Sequence, residues 1–157
     1  MIDKILISRC FLGENVRYNS EITQLNHSLI TLWQQQKRII AICPEVFGGL
    51  PVPREPAEQQ PKSDKVITTS GVDVSAQFHL GAKQALTLCQ QHNIRFALLK
   101  ESSPSCGSTF IYDGSFSNKK MAGQGVTAKI LMQAGIKVFS ENNFEELVNL
   151  LDKEVLV

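Results

Sequence analysis

The sequence predicts an α/β chain, a single-domain layered fold with a mostly parallel, Rossmann-like central sheet flanked by helices. Two observations carry this expectation. Short apolar runs rich in Ile, Val and Leu recur along the chain, as the doubly buried strands of a parallel sheet require. Helix-length amphipathic segments separate these runs, which is the alternation of strands joined by crossover connections. At 157 residues the chain is long enough to bury one substantial core, and one domain over 1–157 is expected.

In chain order, "KILIS" (Lys4 to Ser8) predicts the first strand, and a helix follows over roughly Glu21 to Lys37. "RIIAIC" (Arg38 to Cys43) predicts the second strand. The next segment, "PEVFGGLPVPREPAEQQPKSDK", holds five of the six prolines. Proline lacks a backbone donor and breaks helix and strand alike, so a long ordered loop with binding duties is expected there. A helix over roughly Ser75 to His92 leads to a third strand in "IRFALLK" (Ile94 to Lys100). "STFIYDGSFSNKKMAGQG" reads as an extended piece, an Asp113-Gly114 turn and a glycine-punctuated loop. A helix over roughly Gly125 to Ala134 precedes the fourth strand, "IKVFS" (Ile136 to Ser140). In "NNFEELVNLLDK", Asn142 and Glu145 have capping-box spacing, and Phe144, Leu147, Val148 and Leu151 form an apolar stripe.

Hydrophobic residues at 43%, charged residues at 20% and a formal charge of +1 give no electrostatic reason to expect nucleic acid or a membrane as partner. "MIDKILISRC" has an acidic residue at position 3 and too short an apolar run for a signal peptide. No stretch approaches the roughly 18 apolar residues of a membrane span. A cytoplasmic protein is therefore expected, in which four cysteines suit metal ligation, catalysis or burial better than disulfides.

Cys10, Cys43 and Cys106 all fall at or just beyond carboxyl ends of predicted strands. In an open parallel sheet those ends share the edge where ligands bind, so the three thiols can converge. Cys89 lies mid-helix on a face with Ala82, Ala85 and Leu86 and reads as an inert core thiol. Three thiolates suit either zinc with an open position or an iron-sulfur cluster; without a C-x-x-C motif, spacing does not choose between them. A cubane cluster on three cysteines would leave one iron open as a soft Lewis acid.

Other residues carry weaker expectations. Arg54 is expected to order its loop by pairing with Glu55 or Glu58, the alternative being that it faces the substrate, and Lys100 to offset charge at the site or cap a strand end. Lys119 and Lys120 read as solvated loop. His27, His79 and His92 sit in predicted helices away from the cysteine-bearing ends. Gly123 and Gly125 precede a helix whose N-terminus could receive an anion.

"ISRCFLGENVRYNS", "ICPEVFGGLPVPREPAE", "GVDVSAQFHLGA", "LLKESSPSCGS" and "GQGVTAKIL" run in this order over nearly the whole chain. Together they resemble the bacterial thiouracil desulfurase family. The resemblance implies a small α/β protein with an oxygen-sensitive 4Fe-4S cluster on three cysteines, one iron left open. It further implies conversion of 2-thiouracil to uracil and hydrosulfide without net redox change. By motif, the cluster ligands would be Cys10 of "SRC", Cys43 of "CPE" and Cys106 of "SPSCG". The family's catalytic carboxylate falls on Glu45, and the serine that helps bind or activate substrate on Ser103, with Ser102 and Ser105 close enough to take that role.

The implied partner is a small thiolated pyrimidine, with a monomer, no stable nucleic-acid complex and no membrane expected. Related proteins add a second domain and act on thiolated tRNA, for which this near-neutral chain offers no electrostatic support. A zinc hydrolase on the same cysteines, a non-catalytic cluster-binding module and a thiouridine nucleotide substrate stand as alternatives.

Overall fold

The computed structural model describes residues 3–13 and 28–155, the last four by backbone alone. In chain order the elements are β1 (Ile5–Ser8), a 3-10 turn (Arg9–Leu12), α1 (Ser28–Gln35), β2 (Ile39–Ile42), α2 (Pro44–Phe47), β3 (Ala57–Gln59) and β4 (Val66–Thr68). There follow α3 (Ser75–Gln91), β5 (Phe96–Leu98), β6 (Phe110–Tyr112), β7 (Lys120–Ala122), α4 (Val126–Gln133), β8 (Lys137–Phe139) and α5 (Phe144–Val155).

Four strands form a wholly parallel sheet in the order β2-β1-β5-β8. Strand β1 is central, with Ile7 in register with Ala41 on one side and Leu98 on the other, and all four of its residues are buried. Its alternate side chains serve opposite faces. Ile5 and Ile7, with Phe96, Leu98 and Phe139, pack against Trp33 of α1 and Phe144, Leu147 and Leu151 of α5. Leu6, Ala97 and Leu99 pack against Ala85 and Cys89 of α3 and Ala128 and Leu131 of α4. Each fully buried Ile, Leu or Phe contributes about 1.5–3 kcal/mol relative to exposure, so both helical layers are held by the same short strands. The α/β fold with a parallel sheet between helices is thus the one expected. Residues 21–27 of the first expected helix lie outside the described residues.

Three local expectations are corrected or refined. The proline-rich segment is not all loop: Pro44 opens α2 at a first-turn position where no N–H is needed, and Ala57–Gln59 pairs antiparallel with Val66–Thr68. The Asp113-Gly114 turn, where Asp113 Oδ1 accepts the Ser115 N–H at 2.9 Å, opens a longer connection than a hairpin turn, because β6 and β7 are joined by residues 113–119, with Gly114, Phe116 and Asn118 at φ 90°, 56° and 61°. Helix α5 begins at Phe144, so Asn143 rather than Asn142 precedes it; the Asn143 Oδ1 accepts the Ser140 N–H at 2.7 Å.

The chain runs from β1 to β2 on one side of the sheet and from β5 to β8 on the other. The carboxyl edge between β1 and β5 is therefore the topological switch point, where open α/β sheets bind ligands. The segments leaving β1, β2 and β5 at that edge carry Cys10, Cys43 and Cys106.

Candidate active site

A cavity of about 470 Å³ is lined by Cys10, Cys43 and Cys106 together with Glu45, Ser102 and Ser103. Cys10 sits in the 3-10 turn directly after β1, which Gly13 closes at φ 89° with its N–H on the Cys10 carbonyl. Cys43 is the extended residue before Pro44 and caps α2. Helix α2 lies so close to α3 that a Cβ on Gly81 would stand 1.9 Å from the Pro44 carbonyl oxygen. The small residue therefore sets where Cys43 and Glu45 come to rest.

The third arm, which carries Cys106, is folded around Glu101. That side chain is buried, and its Oε1 accepts the N–H groups of Ser102 (3.2 Å), Ser108 (3.0 Å), Thr109 (3.1 Å) and Phe110 (3.2 Å). Its Oε2 accepts the Ser108 hydroxyl at 2.9 Å. Burial alone would push the Glu101 pKa up, but the donors from Thr109, Phe110, Ser102 and Ser108 outweigh it and hold the carboxyl below its ordinary value. The Glu101 N–H donates to Glu141 Oε1 at 2.8 Å, and Glu141 Oε2 pairs with Lys100 Nζ at 2.6 Å. The Lys100 N–H in turn donates to Ser8 Oγ at 3.1 Å. Lys100, just after β5, thus links the last residue of β1 to the segment following β8 along the cavity wall.

Ser103 Oγ accepts the N–H groups of Ser105 and Cys106, each at 3.1 Å. The hydroxyl shapes the turn at Cys106 while its proton stays available to a cavity ligand. Ser102 also lines the cavity, at φ 64°. Ser105 is fully buried, its Oγ 2.7 Å from Thr127 Oγ1, and its hydroxyl also acts on the Cys106 thiol, against the rise that burial causes.

Burial pushes the Cys106 thiol far up, and negative charge at Cys43, Glu45 and Cys10 pushes it the same way. Cys43 is raised by burial and by Glu45, against lowering by the Val46 N–H and Arg54. Three thiolates this mutually unfavourable need a cationic centre to coexist, so the donor set fits a thiolate-bound metal group. Cys89 belongs elsewhere: it packs with Ala85 in the core, and burial pushes its thiol to about 11.

Glu45 is held by Arg54, whose Nη2 donates to Glu45 Oε2 at 3.1 Å, the side chains being 18% and 5% exposed respectively. This corrects the expectation that Arg54 serves Glu55 or Glu58. Glu55 instead accepts the Ser70 hydroxyl at 2.7 Å, and Glu58 the Gly114 N–H at 2.9 Å. The anion reading at Gly125 is also corrected. The N–H groups of Gly125, Val126 and Thr127 donate to the carbonyls of Gly107, Pro104 and Ser105, so the start of α4 clamps the Cys106 arm.

Lys119 and Lys120 are both exposed, and Lys120 also lines the cavity, with its Nζ 5.6 Å from the Tyr112 ring centroid. His79 is exposed on α3, His92 follows the last turn of that helix, and His27 lies outside the described residues. Two features escaped the sequence reading: the Glu101 hub and the β6–β7 wall of the cavity. An acidic residue immediately before "SSPSCGST" was the available signal for the first, since carboxylates beside tight polar turns collect backbone N–H groups.

Over 152 aligned residues the chain is 40% identical to the uncharacterised protein YbbK of Bacillus subtilis (strain 168), spanning 92% of this chain and 99% of that one. The solved structure of the 4Fe-4S-dependent thiouracil desulfidase TudS (DUF523Vcz) matches with a TM-score of 0.92 at 48% identity, spanning 96% of this chain and 98% of that chain. The sequence pattern of the 2-thiouracil desulfurases covers residues 5–143, sheet and cysteine-lined cavity included, and the chain belongs to the 2-thiouracil desulfurase family.

Proposed function

We infer that the chain is an iron-sulfur-dependent desulfurase that takes a thiolated pyrimidine, 2-thiouracil, to uracil. The observation that carries this reading is the meeting of Cys10, Cys43 and Cys106 with Glu45 and Ser103 on one cavity. The reaction balances as a hydrolysis. The ring carbon takes the oxygen of water, sulfur departs as hydrosulfide, one proton is released and no electron changes hands.

Cys10, Cys43 and Cys106 hold the 4Fe-4S cluster in this reading and leave one iron without a protein ligand. When bound, that group supplies a soft Lewis acid suited to the substrate sulfur. The similarity to a 4Fe-4S-dependent thiouracil desulfidase favours a cluster above zinc at these cysteines. Glu45, two residues beyond Cys43, accepts the proton of the attacking water. Arg54 fixes the carboxylate for that task. The Ser103 hydroxyl donates to charge developing on the ring. The working unit is one domain over 1–157, acting as a monomer.

The cavity of about 470 Å³ has to hold both the cluster and the substrate, and thiouridine or its monophosphate is the alternative substrate class. Anaerobic reconstitution followed by assays on 2-thiouracil, 4-thiouracil, thiouridine monophosphate and thiolated tRNA tests both readings. The expected protein is brown, holds about four irons and four sulfides per chain and releases hydrosulfide. Glu45→Gln should keep the irons and lose turnover. Protein that stays colourless after reconstitution, or zinc without acid-labile sulfide, overturns the cluster reading.

A further inference from the structure

The desulfurase reading uses the cysteine side of the cavity. Another wall comes from the β6–β7 hairpin, whose Tyr112, Phe116, Asn118 and Lys120 line the same space. Residues 113–119 hold an uncommon shape there, with two non-glycine residues, Phe116 and Asn118, in the left-handed region. Such residues are disfavoured and persist only where the surroundings over-determine them.

Here they do. Glu58 of β3 is buried and accepts the N–H groups of Gly114 at 2.9 Å and Phe116 at 3.3 Å. Gln60 Nε2 reaches the Gly114 carbonyl at 3.4 Å, and a Cβ at Gly114 would meet the Gln59 carbonyl oxygen at 2.8 Å. The buried Glu58 carboxylate thus fixes where the side chains of that loop stand. Phe116 remains 37% exposed, a flat apolar face on the cavity rim. Asn118 lines the cavity, and its carboxamide has no hydrogen-bond partner among the described residues.

A uracil-type ring presents the complement: two flat apolar faces, and an edge where an N–H stands beside a carbonyl. A carboxamide offers one acceptor and two donors in a plane and matches that edge with two hydrogen bonds. We propose that residues 113–119, clamped by Glu58, form the ring-reading wall of the cavity, Phe116 against the pyrimidine face and Asn118 on its lactam edge. The proposal rests on the desulfurase reading and names the residues that select its substrate.

The test compares 2-thiouracil with pyrimidine-2-thione, which keeps the thiocarbonyl and lacks the lactam oxygen, in reconstituted wild type, Asn118→Ala, Phe116→Ala and Glu58→Gln. Equilibrium binding of uracil by calorimetry gives a readout independent of turnover. Asn118→Ala should raise KM for 2-thiouracil and Kd for uracil about tenfold, and KM for the thione far less. Phe116→Ala should raise KM for both, and Glu58→Gln should weaken uracil binding with iron content kept. Asn118 is exposed, so its variant carries the test even if Glu58→Gln fails to fold. Unchanged KM and Kd in Asn118→Ala and Phe116→Ala, or equal losses on both substrates in Asn118→Ala, overturn the wall. Wild type that binds uracil with these dependences but desulfurises neither compound overturns the desulfurase reading alone. Wild type that neither binds nor turns over overturns both.

Discussion

Arg54 Nη2 donates to Glu45 Oε2 at 3.1 Å, while its Nη1 donates to the Pro51 carbonyl at 3.0 Å. One guanidinium thus ties the carboxylate nearest Cys43 to the proline-rich loop that partly encloses the cavity. The buried end of the pair is the arginine, at 5% exposure, so the cation is fixed and the carboxylate takes its position from it. Arg54 is a positioning residue acting through Glu45.

Replacing Arg54 with Met should lower kcat by about 10- to 100-fold, as misplacement of a catalytic group does, with the iron content kept. Arg54→Lys should restore only part of the loss, because one ammonium cannot span both acceptors in the planar geometry of a guanidinium. Steady-state rates on cluster-loaded protein decide; wild-type kcat in Arg54→Met removes the role.

Glu101 gathers the N–H groups of four residues and one hydroxyl on a single carboxylate. In Glu101→Gln one acceptor oxygen becomes an NH₂ donor facing this crowd, at a cost of about 2–4 kcal/mol in metal-free protein. The folded pKa lies below the ordinary carboxylate value, so the stabilisation is complete above that ordinary value. It fades as pH falls through the carboxylate range to the lower folded value. Urea unfolding should therefore show a gap between wild type and Glu101→Gln that is full near neutrality and shrinks in acid. A gap constant over that range means that the ionised carboxylate is not the anchor.

These two residues mark the boundary of what the sequence makes legible. The four parallel strands are readable because each shows as an apolar run, fully buried in the central β1 and β5 and half-buried along the edge strands β2 and β8. The meeting of Cys10, Cys43 and Cys106 is readable because each follows a strand and parallel strands share a carboxyl edge. The antiparallel strands β3, β4 and β7 leave no apolar run, and β6 shows only as an extended piece, since pairing across a hairpin defines them. The partner of Arg54 depends on how a proline-rich loop folds back over α2, and nearer glutamates compete for it on paper. Likewise Gly125 looks open to an anion until the Cys106 arm delivers the carbonyls of Pro104 and Ser105 to the start of α4.

Gly81→Ala tests whether the contact between α2 and α3 sets the site. The added Cβ would stand 1.9 Å from the Pro44 carbonyl oxygen and 2.6 Å from its carbon, so backbone must move. Overpacking of this kind costs about 1–3 kcal/mol. Because α2 carries Glu45 and is capped by Cys43, the variant should also bind iron less completely than wild type when reconstituted side by side. Lowered thermal stability with full iron content would mean that the shift is absorbed away from Cys43.

Ser103 and Ser105 separate catalysis from packing within three residues. Ser105 Oγ is fully buried against Thr127, so Ser105→Ala leaves a buried hydroxyl without its partner and should destabilise by about 1–3 kcal/mol with kcat near wild type. Ser103 lines the cavity and has a hydroxyl proton to give. Ser103→Ala should cost about 100- to 1000-fold in kcat, the loss seen when one preorganised donor is removed, with a smaller fall in melting temperature than Ser105→Ala. Ser103→Thr, which retains the hydroxyl, should recover most of the rate. If Ser102→Ala takes the loss of rate and Ser103→Ala only that of stability, the donor is Ser102 and the Ser103 hydroxyl serves the turn at Cys106 alone.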